Sequence, residues 1–322
     1  MRKHTLMIVL LATLALFVSP ANLMAQKIEG GELFPVRVHG KYGYINKTGQ
    51  FVLQPQFESA SPFSEGLARI SADFKSGFID RAGRVIIEPQ FGWAGDFSEG
   101  LAYIRVGGKY GFIDVKYGFI DKTGRVVIPA QFDRANDFSE GLACVYKDFR
   151  YGYINKSGQF VIEPKFDSAK SFSDGLAPVM VGDKWGYIDK AAKVVITPQF
   201  LAAESFSEGL AAVMVGDKWG YIDKTGKVVI APQFSLAYSF SEGLAPVVVG
   251  GYYESTGRVF HPVEFKGGEW AYIGKAGEIV LKLPGETNYV EGFSNGLAYI
   301  RLKDYSDGYI DKMGKYVWKP SK

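Results

Sequence analysis

Lys184 to Asp217 reads KWGYIDKAAKVVITPQFLAAESFSEGLAAVMVGD, and from Lys218 the chain starts again as KWGYIDKTGKVVIAPQFSLAYSFSEGLAPVVVG. Working outward, Gly43, Gly77 and Gly111 stand 34 residues apart, and so do Gly118, Gly152, Gly186 and Gly220. One 7-residue offset separates the two series, where KYGFIDV at Lys109 to Val115 is followed at once by KYGFIDK at Lys116 to Lys122. A fixed period of this size marks a repeat architecture. A residue that recurs once per unit is therefore assigned first to building the fold.

The period alone does not separate helix from strand, but the breakers do. A unit carries Gly186, Pro198, Gly209 and Gly216, and helix interiors lose about 1 kcal/mol per Gly and about 3 per Pro. Only Gln199 to Glu208 leaves room for a short helix. Between the breakers lie Tyr-Ile, Val-Val-Ile and Ala-Val-Met-Val, short runs of β-branched and aromatic residues that read as strands. Leu210 to Val215, Trp219 to Asp223 and Lys227 to Ile230 then form a three-stranded antiparallel meander. Asp223 and Gly226 make an Asx-assisted turn whose glycine has φ > 0. Pro232 ends the third strand, and a 12-residue crossing leads to the next unit.

The predicted fold is all-β, with residues 33–320 forming eight such meanders, a heptad duplication at 109–122 and an insertion at 252–268. Three-stranded sheets cannot bury a face alone, so neighbours must stack. An open β-solenoid or superhelix is expected, because propeller blades usually have four strands and no terminal strand completes a unit begun at the other end. An eight-bladed propeller-like ring is the alternative.

KYG, KWG, YIDKTG, VVIxPQF and FSEGLA, repeated in this order, resemble the bacterial WG-repeat family over Leu33 to about Pro320. The resemblance implies a β-rich repeat domain in proteins that are often exported. It implies no activity and carries over no catalytic residue. Ala191-Ala192 in place of Thr-Gly, Pro129 one position early and Ala271 in place of the Gly of WG depart from the pattern.

Arg2, Lys3 and His4 precede an apolar run from Leu6 to Val18, with small-residue cleavage sites near Ala21 and Ala25. Residues 1–25 are expected to be a signal peptide, followed by a short linker at 26–32, and the mature chain to be secreted or periplasmic without a membrane span. Removing Arg2 and Lys3 takes the net charge from +3 to +1. That balance offers no electrostatic case for nucleic acid.

The acids form two repeated rows. Asp80, Asp121, Asp189, Asp223 and Asp311 share one position with Asn46 and Asn155; Glu65, Glu99, Glu140, Glu208 and Glu242 share another with Asp174 and Asn295. Catalysis needs one unique constellation, so no catalytic residue is assigned, nor any cofactor or metal ligand. Cys144 is read as a small strand residue. The 24 Phe, 19 Tyr and 5 Trp are mostly core, although an aromatic row would suit a glycan or peptide. Because every regular position is repeated, unique ligand contacts are expected where the repeat is broken, at Tyr252, Tyr253, His261 and Trp270. The expected function is that of a non-enzymatic scaffold binding a protein or cell-envelope polymer, with an extracellular polysaccharide hydrolase or lyase as the alternative.

Overall fold

The computed structural model describes residues 31–107, 115–258 and 261–319, and the side chains of 252–266 are outside the description. The expected signal peptide and residues 109–114 of the first heptad of the duplication also lie outside the described residues. Within Glu32–Lys322, a single compact unit, the described residues contain strands and turns but no helix.

The sixth sheet shows how a unit folds. Leu210–Val215, Lys218–Asp223 and Val228–Phe234 pair antiparallel in chain order, as the meander requires. The crossing before them is not a helix, because Ala202–Ala203 adds a fourth, two-residue strand to the edge of Leu210–Val215, with Ala202 opposite Met214. The third strand also does not stop at Pro232. Its register shifts between Tyr221↔Ile230 and Trp219↔Phe234, so a bulge absorbs the proline, which cannot donate to a ladder. The expected three-stranded unit is thus corrected to four strands in seven of the eight sheets of the repeat. The first sheet, Phe34–Val38, Lys41–Ile45 and Phe51–Phe57, alone has three among the described residues.

Burial follows from stacking. Tyr221 and Ile222 on the middle strand are 0% exposed, while Val228 and Val229 on the edge strand are 49% and 45% exposed. Middle strands are covered on both faces by neighbouring sheets, and third strands form the solvated edge. Each crossing Phe enters this interface: Phe206 lies 4.8 Å from the Tyr187 ring of the preceding sheet, and Phe240 lies 5.0 Å from Tyr221. Such tilted aromatic pairs add about 0.5–1.5 kcal/mol beyond their buried area.

The open solenoid is the principal correction. The eighth sheet, Thr287–Val290, Leu297–Leu302, Asp307–Asp311 and Tyr316–Trp318, packs on the first. Phe34, Val36 and Ile45 share one core with Leu297 and Tyr309. Phe34 meets Tyr309 edge-on at 5.3 Å, and the Tyr309 hydroxyl donates to the Pro35 carbonyl at 3.0 Å. The turn glycine that elsewhere faces an Ile or Leu of the preceding sheet, as Gly226 faces Ile196 and Gly83 faces Leu53, is Gly49 in the first sheet and faces the Val317 backbone. The eight sheets therefore close into a propeller-like ring. Among the described residues the first sheet has no short inner strand, and the Tyr309 hydroxyl and the Phe34 ring make the contact with the eighth sheet instead.

The insertion forms its own two-stranded hairpin, Tyr252–Arg258 with His261–Lys266, inserted between two neighbouring strands of the seventh sheet, Ala245–Val249 and Glu269–Ile273.

Candidate functional site

Both acid rows are occupied by structure. In the first, the Asp223 carboxylate accepts the Thr225 and Lys227 amides at 2.9 and 3.1 Å and the Thr225 hydroxyl at 2.6 Å, and Gly226 has φ +87°. Asn46 does the same with Thr48 and Gln50, so the turn needs an acceptor oxygen rather than a charge. In the second row, Glu65, Glu99, Glu140, Asp174, Glu208, Glu242 and Asn295 all hold φ between 50° and 55°. For non-glycine residues this backbone is strained, and the strain has a use. Each acid reaches the next sheet: Glu208 accepts the Gly243 amide at 3.1 Å and pairs with the Lys275 ammonium at 3.1 Å, and Glu242 does so with Gly296 and Lys312. Desolvation tends to raise these carboxyls, but the lysine and the amide more than offset it and hold Glu65, Glu99, Glu208 and Glu242 below the usual glutamate value. At the junction of the eighth and first sheets the position is Asn295, which carries no charge to continue the circuit.

That junction is also where the surface opens. A cleft of about 250 Å³ lies between the Tyr289 and Glu291 side of the eighth sheet and Ala60 and Pro62 of the second, floored by Pro35, Val36, Arg37 and Tyr42 of the first. Tyr289–Glu291 and Ala60–Pro62 are the inner segments of the eighth and second sheets, and among the described residues the first sheet between them has no such segment. Asp307 stands where most other units place Trp or Tyr and the second places Ser76, and it binds the Arg301 guanidinium at 2.8 Å and the Tyr299 hydroxyl at 2.5 Å. Arg301 also donates to the Tyr299 hydroxyl at 2.6 Å. Glu291 faces the cleft, where burial raises its carboxyl above the usual value and Arg301 partly lowers it again.

An aromatic row does form, though at irregular positions. Tyr238 stacks on Trp270 at 5.9 Å, Trp270 meets Tyr289 at 6.4 Å, Tyr289 meets Tyr299 at 6.5 Å and Tyr299 meets Tyr309 at 5.8 Å. Trp270 is 9% exposed and its indole donates to the Asn288 carbonyl at 3.2 Å, so it is engaged in packing and leads toward the cleft. Tyr252, Tyr253 and His261 lie on the inserted hairpin, outside the residues whose side chains are described.

A second polar group departs from the repeat over the second to fourth sheets. Asp96 and Asp137 take the place held by Ser171, Ser205 and Ser239. Arg69 lies 3.4 Å from Asp96 and 4.8 Å over the Trp93 ring. Burial, and then the neighbouring Asp96, push the Asp137 carboxyl up to about 6. Asp96, Asp137 and Asp307 form no cluster outside the repeat pattern; their signal in the sequence is an acid substituted within it. Cys144 is buried, its thiol pushed up to about 12, and is not poised as a nucleophile. Among the described residues no group of acids, His or Cys is arranged to hold a metal ion, and no helix is long and apolar enough to cross a membrane.

The fold has distant relatives of known structure. The chain is similar to a computationally designed Ika8 protein, at 10% identity and TM-score 0.53 over 87% of this chain and 96% of that one. It is also similar to a eukaryotic initiation factor, at 11% identity and TM-score 0.56 over 90% and 84%, and to the dihydro-heme d1 dehydrogenase NirN bound to DHE, at 13% and 0.57 over 89% and 72%. At these identities the likeness is one of fold alone. No curated protein sequence matches the chain. The model of the WG containing repeat matches six times, at residues 42–73, 77–110, 117–148, 151–185, 185–219 and 219–253. With the repeat recognised over most of the ring, and its Trp-Gly or Tyr-Gly pair placed on the middle strands of the first and the third to sixth sheets, the chain belongs to the WG-repeat family.

Proposed function

We propose that this chain is an exported, non-enzymatic binding module that holds a protein or cell-envelope polymer in the cleft between its eighth and first sheets. The observation that carries the reading is the contrast between that junction and the others. Elsewhere the repeated acids are consumed by turns and by sheet-to-sheet ion pairs, whereas here a concave surface combines Tyr42, Tyr289, Tyr299 and Trp318 with Arg37, Arg301 and Glu291. Concave aromatic surfaces with a few polar groups are the usual form of a ligand site. Export rests on the basic, apolar and small-residue order of residues 1–25.

One observation favours the hydrolase reading, since Glu291 has a raised carboxyl and shares the cleft with Asp307. Arrays of envelope polysaccharides and peptides, probed with the exported chain and followed by reducing-end assays on each hit, separate the two. Retention without turnover is the expected result. Release of reducing ends that disappears in Glu291→Gln would replace the binding reading with the hydrolase.

A further inference from the structure

We propose that the inner segments of the second to fourth sheets hold a second site, for a neutral sugar ring that stacks on Trp93 and shares its hydroxyls with Arg69, Asp96, Arg105 and Asp137. The site has no residue in common with the cleft between the eighth and first sheets.

The residues that build it are departures from the repeat. Trp93 pairs in register with Arg105, where the fifth and sixth sheets pair Ser168 with Met180 and Ala202 with Met214. Gly95 stands where those sheets place Lys170 and Glu204. A Cβ on Gly95 would collide with the Tyr103 ring and lie 2.5 Å from the Asp137 Oδ1, so only glycine lets this carboxylate of the fourth sheet meet that aromatic of the third. Arg69 comes in from the second sheet with its guanidinium 4.8 Å over the Trp93 ring. Its Nε lies 3.4 Å from the Asp96 Oδ1, in an ion pair that makes no hydrogen bond.

Among the described residues, five buried side-chain polar atoms have no hydrogen-bond partner, and four of them are here: Arg69 Nε, Asp96 Oδ1, Arg105 Nε and Asp137 Oδ1. Buried polar atoms are nearly always paired, so four orphans in one place call for an explanation. The eighth sheet shows how they come to be left over. Tyr289, Tyr299 and Arg301 occupy the positions of Trp93, Tyr103 and Arg105, and Arg301 stands opposite Asp307 on the middle strand and bonds to it at 2.8 Å. Arg105 stands opposite Tyr117, which offers it no carboxylate.

The leftover groups select their ligand. Two guanidiniums and two carboxylates carry no net charge, which favours a neutral molecule over an anion or a cation. The orphans include both donors and acceptors, and a hydroxyl serves either, with one proton to give and two lone pairs to accept. Trp93 is 47% exposed and the Asp96 side chain 39%, so the rim of the cluster is open to solvent. The uncovered part of the indole is an apolar platform for the C–H face of a sugar ring, and an aromatic wall with a few convergent polar groups is the usual form of a small-ligand site. No hydrogen bond holds any of the four orphaned atoms, so these groups can turn toward a hydroxyl without breaking one there.

The test titrates the exported chain by calorimetry with three neutral sugars, maltohexaose, cellopentaose and mannopentaose, and with polygalacturonate as an acidic comparison. Saturable binding of at least one neutral sugar is expected, weakened about tenfold or more in both Trp93→Ala and Asp96→Ala and largely kept in Trp93→Phe. Hydrogen exchange with that sugar bound is expected to slow at Trp93–Ala94 and Leu101–Val106. If Trp93→Ala melts early, Asp96→Ala and Trp93→Phe decide the matter alone. No saturation by any neutral sugar, binding of polygalacturonate alone, or an affinity indifferent to Asp96→Ala would overturn the proposal. Sugar binding that is lost in Glu291→Gln but not in Asp96→Ala would place the sugar in the cleft, which ends this inference and leaves the binding reading standing.

Discussion

Gly220 has no left-handed φ, yet no other residue fits its place. A Cβ there would lie 2.6 Å from the Ile230 carbonyl oxygen and 2.7 Å from the Pro232 nitrogen, both backbone atoms of the bulged third strand. Gly226 is required for a different reason, its φ of +87°; a Cβ there would lie 3.4 Å from the Ile196 Cγ2. Gly220→Ala is expected to destabilise by more than about 3 kcal/mol, since backbone cannot yield as a side chain does, and Lys224→Ala by under about 1, its exposed pair being weak. Chemical denaturation of both variants checks this, and equal midpoints would contradict the close-approach account. The turn glycine was legible in the sequence from Asp-Lys-Thr-Gly chemistry. The reason for the glycine of WG was not, because it depends on a bulge in the neighbouring strand. Asp137 gives a second residue-level prediction. Its carboxyl, ordinarily near 3.9, is raised to about 6 by burial and by Asp96. The fold thus takes up a proton between those values, and stability falls as pH rises through the same window. Asp137→Asn is expected to raise the melting temperature at pH 8 and leave it unchanged at pH 4; an equal change at both would refute the assignment.

At the scale of the element, the strands of the meander were readable and the fourth strand was not. Leu210–Val215, Lys218–Asp223 and Val228–Phe234 announce themselves by β-branched runs and turn residues. Ala202–Ala203 is two residues of weak strand propensity, fixed by pairing with Met214 and Val213 rather than by its own preference. What the crossing contributes is its aromatic. Phe206 is 0% exposed and touches the preceding sheet, so Phe206→Ala should cost about 3–5 kcal/mol. In a closed ring this loss spreads to both neighbours. Hydrogen exchange should show the fifth, sixth and seventh sheets loosening together; loosening confined to the sixth would mean that the sheets are energetically independent.

For the whole molecule, the units were legible in the sequence and their closure was not. The period gives eight equivalent units, but an open array and a ring share every local contact except one, and that contact joins residues such as Pro35 and Tyr309, 274 positions apart. Three-stranded units with no terminal strand to complete one begun at the other end pointed toward an open array, and the structure instead closes through the contact of the eighth sheet with the first. The candidate site was correspondingly hard to foresee. The break in the repeat at 252–268 is conspicuous in sequence, whereas the seam exists only once the ends meet. Closure is measured most directly by the distance between spin labels on the exposed turn residues His39 and Tyr305, placed on a Cys144→Ala background. Both turns border the same depression in the first and eighth sheets, beside Gly40 and Asp304. The account predicts a single distance distribution at about 10–25 Å, one sheet spacing plus the label arms. A distribution centred near about 70 Å, seven sheet spacings, would contradict it.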